Sequence, residues 1–465
     1  MYLECKGYDM KQKIALITMV CSMVYSTSAA ADQSEIDVLK QQLLQMQSQM
    51  QVMQERLIEL EQENAKHKNQ FVSKQQVQET VEQVIKDSDT QQLSDVSVAF
   101  KPGLTVSSQD KAFSFGVDGA IQIDTSSIND DALDRSSGTT IRRARLGLKG
   151  TFFKDWHYRF QAGFGNGNET IVDAYGSYTG FDGFEIKAGQ FKEPFSLEQI
   201  QSARNITFVE RATLLALSPA RSIGLQGKYH TDDYTLTAGV FGDNVNTQST
   251  DDEAISFTGR ATALPYQSEN SLLHVGLSGS YRLPDRANDE VSFSAGIEET
   301  VQTVDAVDTG AITNVEGTVL FGAELAGYWG PFSLQGEYAH ADVSRDNGFE
   351  DVSFDAAYIQ GSWFLTGEHR SYSRKNAVFG GVSPKNPPGN GGIGAFEIGA
   401  RYSTIDLTDG PITGGESDNI SFSFSWYPNK YTRFLANYTI VDTDENAVVP
   451  NDDPQIFSTR FQVDF

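Results

Sequence analysis

Ile456-Phe457-Ser458-Thr459-Arg460-Phe461-Gln462-Val463-Asp464-Phe465 is the stretch that decides the fold. In an extended chain Phe457, Thr459, Phe461, Val463 and Phe465 share one face, and Ser458, Arg460, Gln462 and Asp464 share the other. An apolar outer row, a polar inner row and a terminal aromatic are what the closing strand of a lipid-embedded barrel needs. Lipid cannot hydrogen-bond backbone groups, so a sheet inside a membrane must close on itself. A soluble sandwich uses the same alternation, and only its repetition along the chain separates the two.

The repetition begins near residue 111. Phe113, Phe115, Val117, Ile121 and Ile123 alternate with Ser114, Gly116, Asp118, Gln122 and Asp124. Trp156, Tyr158, Phe160, Ala162 and Phe164 alternate with His157, Arg159, Gln161 and Gly163, and Ile420, Phe422, Phe424 and Trp426 with Ser421, Ser423, Ser425 and Tyr427. Roughly sixteen such segments of about 9–12 residues follow one another, the length a tilted strand needs to cross hydrocarbon. Short connectors such as Lys154-Asp155, Gly330-Pro331 and Pro428-Asn429 alternate with long polar ones near 124–140, 192–221, 242–254, 283–316, 341–351, 407–417 and 442–455. Short turns on the periplasmic side and long loops outside are the outer-membrane pattern. The Gly- and Pro-rich stretch 365–393 is long on the short-turn side. Val291 to Glu299 also alternates and is kept in its loop, because counting it would make the strand number odd. Trp156, Tyr229, Trp329, Trp363 and Trp426 near segment ends fit interfacial girdles.

No window holds the roughly 18–20 consecutive apolar residues of a membrane-spanning helix. Ile14 to Tyr25 follows Lys11 and Lys13 and leads into Ala29-Ala30-Ala31, so residues 1–31 are expected to be a signal peptide. Both cysteines, Cys5 and Cys21, fall in that part, which leaves no thiol for disulfides or metal sites. Ile36, Leu39, Leu43, Met46, Met50, Met53, Leu57 and Leu60 step by three and four. That period is nearer 3.5 than 3.6 and predicts a coiled coil, although one amphipathic helix packed on its own barrel fits the same stripe. With a capped second helix near Ser73 to Asp87, residues 32–88 form a periplasmic helical segment, and 89–110 a polar linker. The expected fold is all-β: a 16-stranded antiparallel transmembrane β-barrel over 111–465, preceded by an N-terminal coiled-coil helix.

The formal charge of −26 excludes a general basic surface for nucleic acid. The acids concentrate in the long loops, as at Asp251, Asp252 and Glu253. In the second strand, Arg143, Arg145 and Lys149 lie opposite Leu146 and Leu148 and are expected to face the lumen. The same alternation turns Arg142 outward, where a guanidinium can snorkel to water or headgroups. Arg159 and Lys187 fall on inward faces. Such a basic strip offsets part of an anion's lost hydration. Pairing with inward acids such as Asp173 and Glu185 is the competing expectation. The loop 192–221 carries Arg204, Arg211 and Arg221 and many apolar residues, so it is expected to fold into the barrel and constrict it; packing at a subunit contact is the alternative. No G-x-S-x-G, HExxH or GxxxxGK[ST] motif occurs, and neither an enzyme activity nor a cofactor is expected.

FSFGVDGAIQID, RRARLGLKGTFFKDWHYRF, DAYGSYTGF and AGQFKEPFSLEQIQSARNITFVERA between about 111 and 230, then YIQGSWFLTGE, GAFEIGARYSTIDL and SWYPNKYTRFLANY, occur in the order seen in a known family. In these stretches the chain resembles the phosphate- and polyphosphate-selective porins of Gram-negative outer membranes (porin O/P). The resemblance implies a trimer of 16-stranded barrels, each with an anion-favouring pore. The family's paired arginines fall on Arg142 and Arg143, a basic residue of its constriction loop on Arg204, and the following Glu-Arg pair on Glu210 and Arg211. Ala120 stands where phosphate-specific members carry arginine, and Arg145 where they carry tyrosine. The arginine-rich entrance loop corresponds to 283–316, which carries mostly Asp and Glu here and would form an acidic vestibule. Expected partners are outer-membrane lipid and lipopolysaccharide, two further copies of the chain, and inorganic anions or other small solutes. A second hypothesis makes the chain an envelope tether, with 32–66 reaching into the periplasm and the barrel as its anchor.

Overall fold

The computed structural model describes residues 96–100, 103–129, 137–247, 253–285, 289–301 and 304–465. The expected signal peptide and coiled coil, and with them the basis of the tether, lie outside these residues.

Strand after strand pairs antiparallel with its neighbour, from Ser114–Asn129 and Gly138–Phe152 to Thr432–Thr443 and Gln455–Asp464. The last strand then pairs with the first, from Gln455 opposite Asn129 to Asp464 opposite Ala120, and closes a barrel of sixteen strands. The seam runs to the final residue: the Gly119 N–H donates to the Phe465 carbonyl at 2.7 Å, and the Phe465 N–H returns a bond of 3.0 Å. A Cβ on Gly119 would lie 2.3 Å from the Phe465 ring and 2.6 Å from the Arg145 carbonyl oxygen. Gly119→Ala is therefore expected to loosen the seam by about 1–3 kcal/mol. A lower unfolding temperature of the detergent-solubilised barrel on a semi-native gel would show it.

The alternation of the closing strand holds. Phe457, Phe461 and Phe465 are exposed outward, while Ser458, Arg460 and Gln462 are buried inward. The outer wall repeats this with Ile420, Phe422 and Phe424, and with Leu277, Leu325, Leu334 and Ile359. Trp156, Trp329, Trp363 and Trp426 all sit at the short-turn end. There Trp363 stacks on Phe332 (5.3 Å) and Trp426 on Phe434 (5.3 Å), an interfacial girdle.

Four details differ from the sequence-based expectations. Val96–Phe100 and Leu104–Ser108, inside the supposed linker, form a hairpin whose second strand pairs with Ser114–Val117, the part of the first strand that the last strand does not reach. The supposed loop 407–417 is two strands joined by the turn Gly410-Pro411, and 124–140 is strand to Asn129 and again from Gly138. In both places strands run beyond the apolar band, where water no longer demands an apolar outer row. Within the loop 284–314, Ser294–Gly296 pairs with Asp305–Asp308 as an unexpected separate small sheet, while Val291 to Glu299 stays in the loop as expected and adds no strand to the wall.

The fourth difference concerns the interior. Inward-facing Ala339, Ala341, Val343, Val352, Phe354, Ala356, Ile405 and Leu407 do not line water. They form one buried apolar cluster with Phe195, Leu214 and Leu217 and with Phe293, Val307 and Ile312. One side of the bore, along the strands Val315–Trp329 to Ala395–Asp409, is filled by loops folded into it.

Candidate functional site

Three insertions narrow the barrel. The loop 193–220, expected to be the constriction, turns inward directly after the strand Phe184–Lys192. Phe195, Leu197, Leu214 and Leu217 are almost wholly buried against the wall. Ser196 takes a positive φ of 59° and caps the short helix Leu197–Ile200, its Oγ accepting the Gln199 N–H. The Glu337 carboxylate on the wall accepts the N–H groups of Leu197 and Glu198, both at 2.8 Å, and the Tyr358 hydroxyl at 2.6 Å. Backbone donors at a helix start, left free by the helix itself, are satisfied here by the barrel.

The loop 284–314 enters from the same end. Glu298, buried at a φ of 57°, accepts the Thr213 N–H and pairs with Arg401 on the wall. Arg401 also donates to the Glu210 carbonyl at 3.0 Å, lies 3.6 Å from Glu198 and stacks over Phe208 at 4.4 Å. One guanidinium thus holds both loops. At this point the expected acidic vestibule is partly neutralised.

The third insertion is 365–394, from the short-turn end. Arg370 forms a doubly hydrogen-bonded pair with Glu397 (2.8 and 2.9 Å) and reaches the Asn205 carbonyl of the constriction loop. The Tyr372 hydroxyl meets His274 Nδ1 at 2.6 Å, and Arg260 donates to the Ala377 carbonyl at 3.0 Å. The long connector that broke the short-turn rule is thus a second plug that meets the first.

Beside these insertions a cavity of about 390 Å³ remains. Of the sequence-derived candidates, Arg143, Arg145, Arg159, Lys187, Arg204 and Arg221 line it; Arg142, Lys149 and Arg211 do not. Lys192, Lys228 and Arg260 also line it, and Asp173 is the sole carboxylate among the lining residues. Lys228 and Arg260 could have been found from the alternation Gln226-Lys228 and Thr258-Arg260-Thr262. Lys192 and Arg221 sit at strand ends, where the chain leaves the two-residue rhythm.

Most of these cations are matched. Arg159 and Lys149 share Asp118 at 2.7 and 2.8 Å, Arg221 meets Asp173 at 2.9 Å, and Lys187 and Lys228 approach Glu185 at 3.8 and 3.1 Å. Arg260 pairs with Glu324 at 2.7 Å. Lys192 is spent on carbonyls at the end of the short helix, among them that of Gln201 at 2.9 Å. Among the described residues Arg145 and Arg204 have no carboxylate at ion-pair distance.

Arg142 does not face outward. A bulge leaves it between Arg143, opposite Gln122, and Ile141, opposite Ile123. The extra residue re-aims its side chain inward, and its Nε reaches Glu210 at 2.9 Å. Arg143 and Arg460 join the same carboxylate at 3.3 and 3.4 Å. Burial pushes the Glu210 carboxyl up, but the guanidiniums of Arg143, Arg142 and Arg460 outweigh it and hold the group well below the usual carboxylate range. Glu210 therefore stays charged and occupies the paired arginines. Arg211 turns away from the cavity and donates to the Glu198 and Gln201 carbonyls at 2.9 and 2.8 Å. Its expected place in the constriction is corrected to a brace inside the loop.

A closed sixteen-stranded barrel, greasy outside and constricted by an inward-folded loop beside a basic bore, defines an outer-membrane porin. The chain belongs to the family of phosphate-selective porin O and P, whose model matches residues 115–465. Porin O of Pseudomonas aeruginosa is 30% identical over 418 residues, covering 80% of this chain and 93% of that protein. A protein of Caulobacter vibrioides is 26% identical over 371 residues, 76% of this chain and 74% of its own length. Among solved structures, the outer-membrane channel DcaP of Acinetobacter baumannii (TM-score 0.51, 12% identity, 77% of this chain and 99% of that one) has a similar fold. An anion-selective porin from Comamonas acidovorans (TM-score 0.50, 14% identity, 76% and 100%) has it too.

Proposed function

We propose that the chain is a passive diffusion pore for small hydrophilic solutes that favours anions, with phosphate and polyphosphate as candidate solutes. The observation that carries this is the cavity: nine Arg and Lys side chains line it against one lining carboxylate. Among the described residues three of the nine have no acid at ion-pair distance; Lys192 is held by carbonyls, which leaves Arg145 and Arg204 as the two guanidiniums without a charged partner. Matched pairs keep the bore wet, and unmatched guanidiniums set its sign. An anion passing Arg145 and Arg204 exchanges part of its water shell for charged donors, and the neighbouring cations let it move on. The family description points the same way. In this proposal the barrel 111–465 sits in the outer membrane among lipid and lipopolysaccharide. The segment 32–88 forms a periplasmic coiled coil after removal of 1–31, and three copies assemble through barrel and coiled coil.

The purified full-length protein, reconstituted in a planar bilayer under a KCl gradient, should give a reversal potential on the anion side. Added phosphate should reduce the chloride current. A cation-side reversal potential would overturn the proposal.

A further inference from the structure

The cavity is not basic all round. Pro194 and Ile200 of the constriction loop and Val378 and Phe379 of the opposite insertion supply an apolar part of its lining. Phe379 packs into a buried cluster with Leu197, Leu272, Ala326 and Tyr328, and Val378 rests partly buried on that cluster. Ile200 and Val378 keep part of their surface free. The shelf is therefore fixed hydrocarbon backed by a core, contributed by two insertions that enter from opposite ends. On the basic side, Lys187 lies 4.8 Å from the Tyr175 ring centre and 5.1 Å from that of Phe191, so aromatic surface adjoins the cations there as well.

A passage for hydrated inorganic ions gains nothing from hydrocarbon at this point, since an apolar wall offers no replacement for lost water. An apolar substituent does gain, because it removes both its own surface and that of the shelf from water. The volume of about 390 Å³ also falls within the roughly 300–1,000 Å³ of cavities that hold small organic ligands. Convergent charged groups beside an apolar surface form a two-part site: one part for an anionic head, the other for a compact apolar body.

We propose that the cavity selects anions carrying a compact apolar group, such as aryl phosphates and aryl carboxylates, over inorganic anions of equal charge. This rests on the anion preference proposed above. The head group sits near Arg145 and Arg204, and the ring lies on the shelf of Ile200 and Val378.

The test uses the full-length pore in a planar bilayer and compares block of the chloride current by phenyl phosphate and by inorganic phosphate at a mildly alkaline pH where both are dianions. Phenyl phosphate should reach half-block at a concentration about five-fold lower. Val378→Ser and Ile200→Thr should each bring the ratio toward one, and either variant suffices if the other fails to fold. Equal block by the two anions in the native pore would overturn the proposal. So would a five-fold ratio that survives in the folded variants. The reversal potential in KCl separates the two claims: an anion-side value with a ratio of one sinks only the shelf, whereas a cation-side value sinks the anion preference itself.

Discussion

Arg145→Ala combined with Arg204→Ala lowers the preference for anions by roughly thirty-fold, the expected consequence of removing two unmatched charges worth about 1 kcal/mol each in a wet bore. Both side chains line the cavity, and neither belongs to the apolar cluster that holds the loops. The double variant should therefore assemble like the native protein and differ in its current. The reversal potential in a KCl gradient should fall toward zero, and the concentration of phosphate needed for half-block should rise. Arg142→Ala serves as the comparison: its guanidinium is already engaged by Glu210, so its loss should change the reversal potential less. If the double variant kept the native reversal potential, the matched cations rather than the two free ones would be setting the selectivity.

The second large effect is expected from Arg401→Ala. Arg401 is buried between Glu298 of one loop and the Glu198 and Glu210 region of the other. Removing one member of a buried ionic cluster leaves its partners charged and dry, at a cost of about 3–5 kcal/mol. The barrel wall is held by its own ladders, so the loss should appear as release of the loops rather than collapse of the barrel. Single-channel conductance should rise and become noisy, and the chain should be cut by added protease within 193–220 while the barrel survives. Arg401→Met fills some of the space but restores no charge, and should resemble alanine. An unchanged, quiet conductance with protease resistance would show that apolar packing alone holds the loops.

The wall was legible because lipid imposes a strict rule. Each strand must turn apolar residues outward, and Phe457-Phe461-Phe465 or Ile420-Phe422-Phe424 cannot satisfy that in another register. The inward fold of 193–220 was legible for a similar reason, since the nine Phe, Leu, Ile and Val residues of that loop must find cover. The rule lapses where strands leave the hydrocarbon, and there 407–417 passed for a loop. It is also silent inside the barrel. Ala339, Val343 and Phe354 look the same in sequence whether they face water or a folded loop, and only the loops decide. The direction of Arg142 depended on a bulge without a glycine or proline to announce it. Pairings such as Arg142 with Glu210, 68 residues apart, leave no trace in local pattern. Six of the nine cations that line the cavity stood among the sequence candidates and three did not, and the division into spent and free charges was not legible at all.

The packed side of the interior has a consequence for any solute inside. Hydrocarbon behind one flank cannot polarise, so field lines from the guanidiniums crowd into the narrow aqueous lane that remains. An ion is then guided along the basic flank rather than down the barrel axis. Mobile electrolyte has little room in that lane to build its screening atmosphere, which needs about 8 Å at physiological salt. The pore's discrimination by charge should accordingly fade more slowly with rising ionic strength than that of a barrel whose whole cross-section is open.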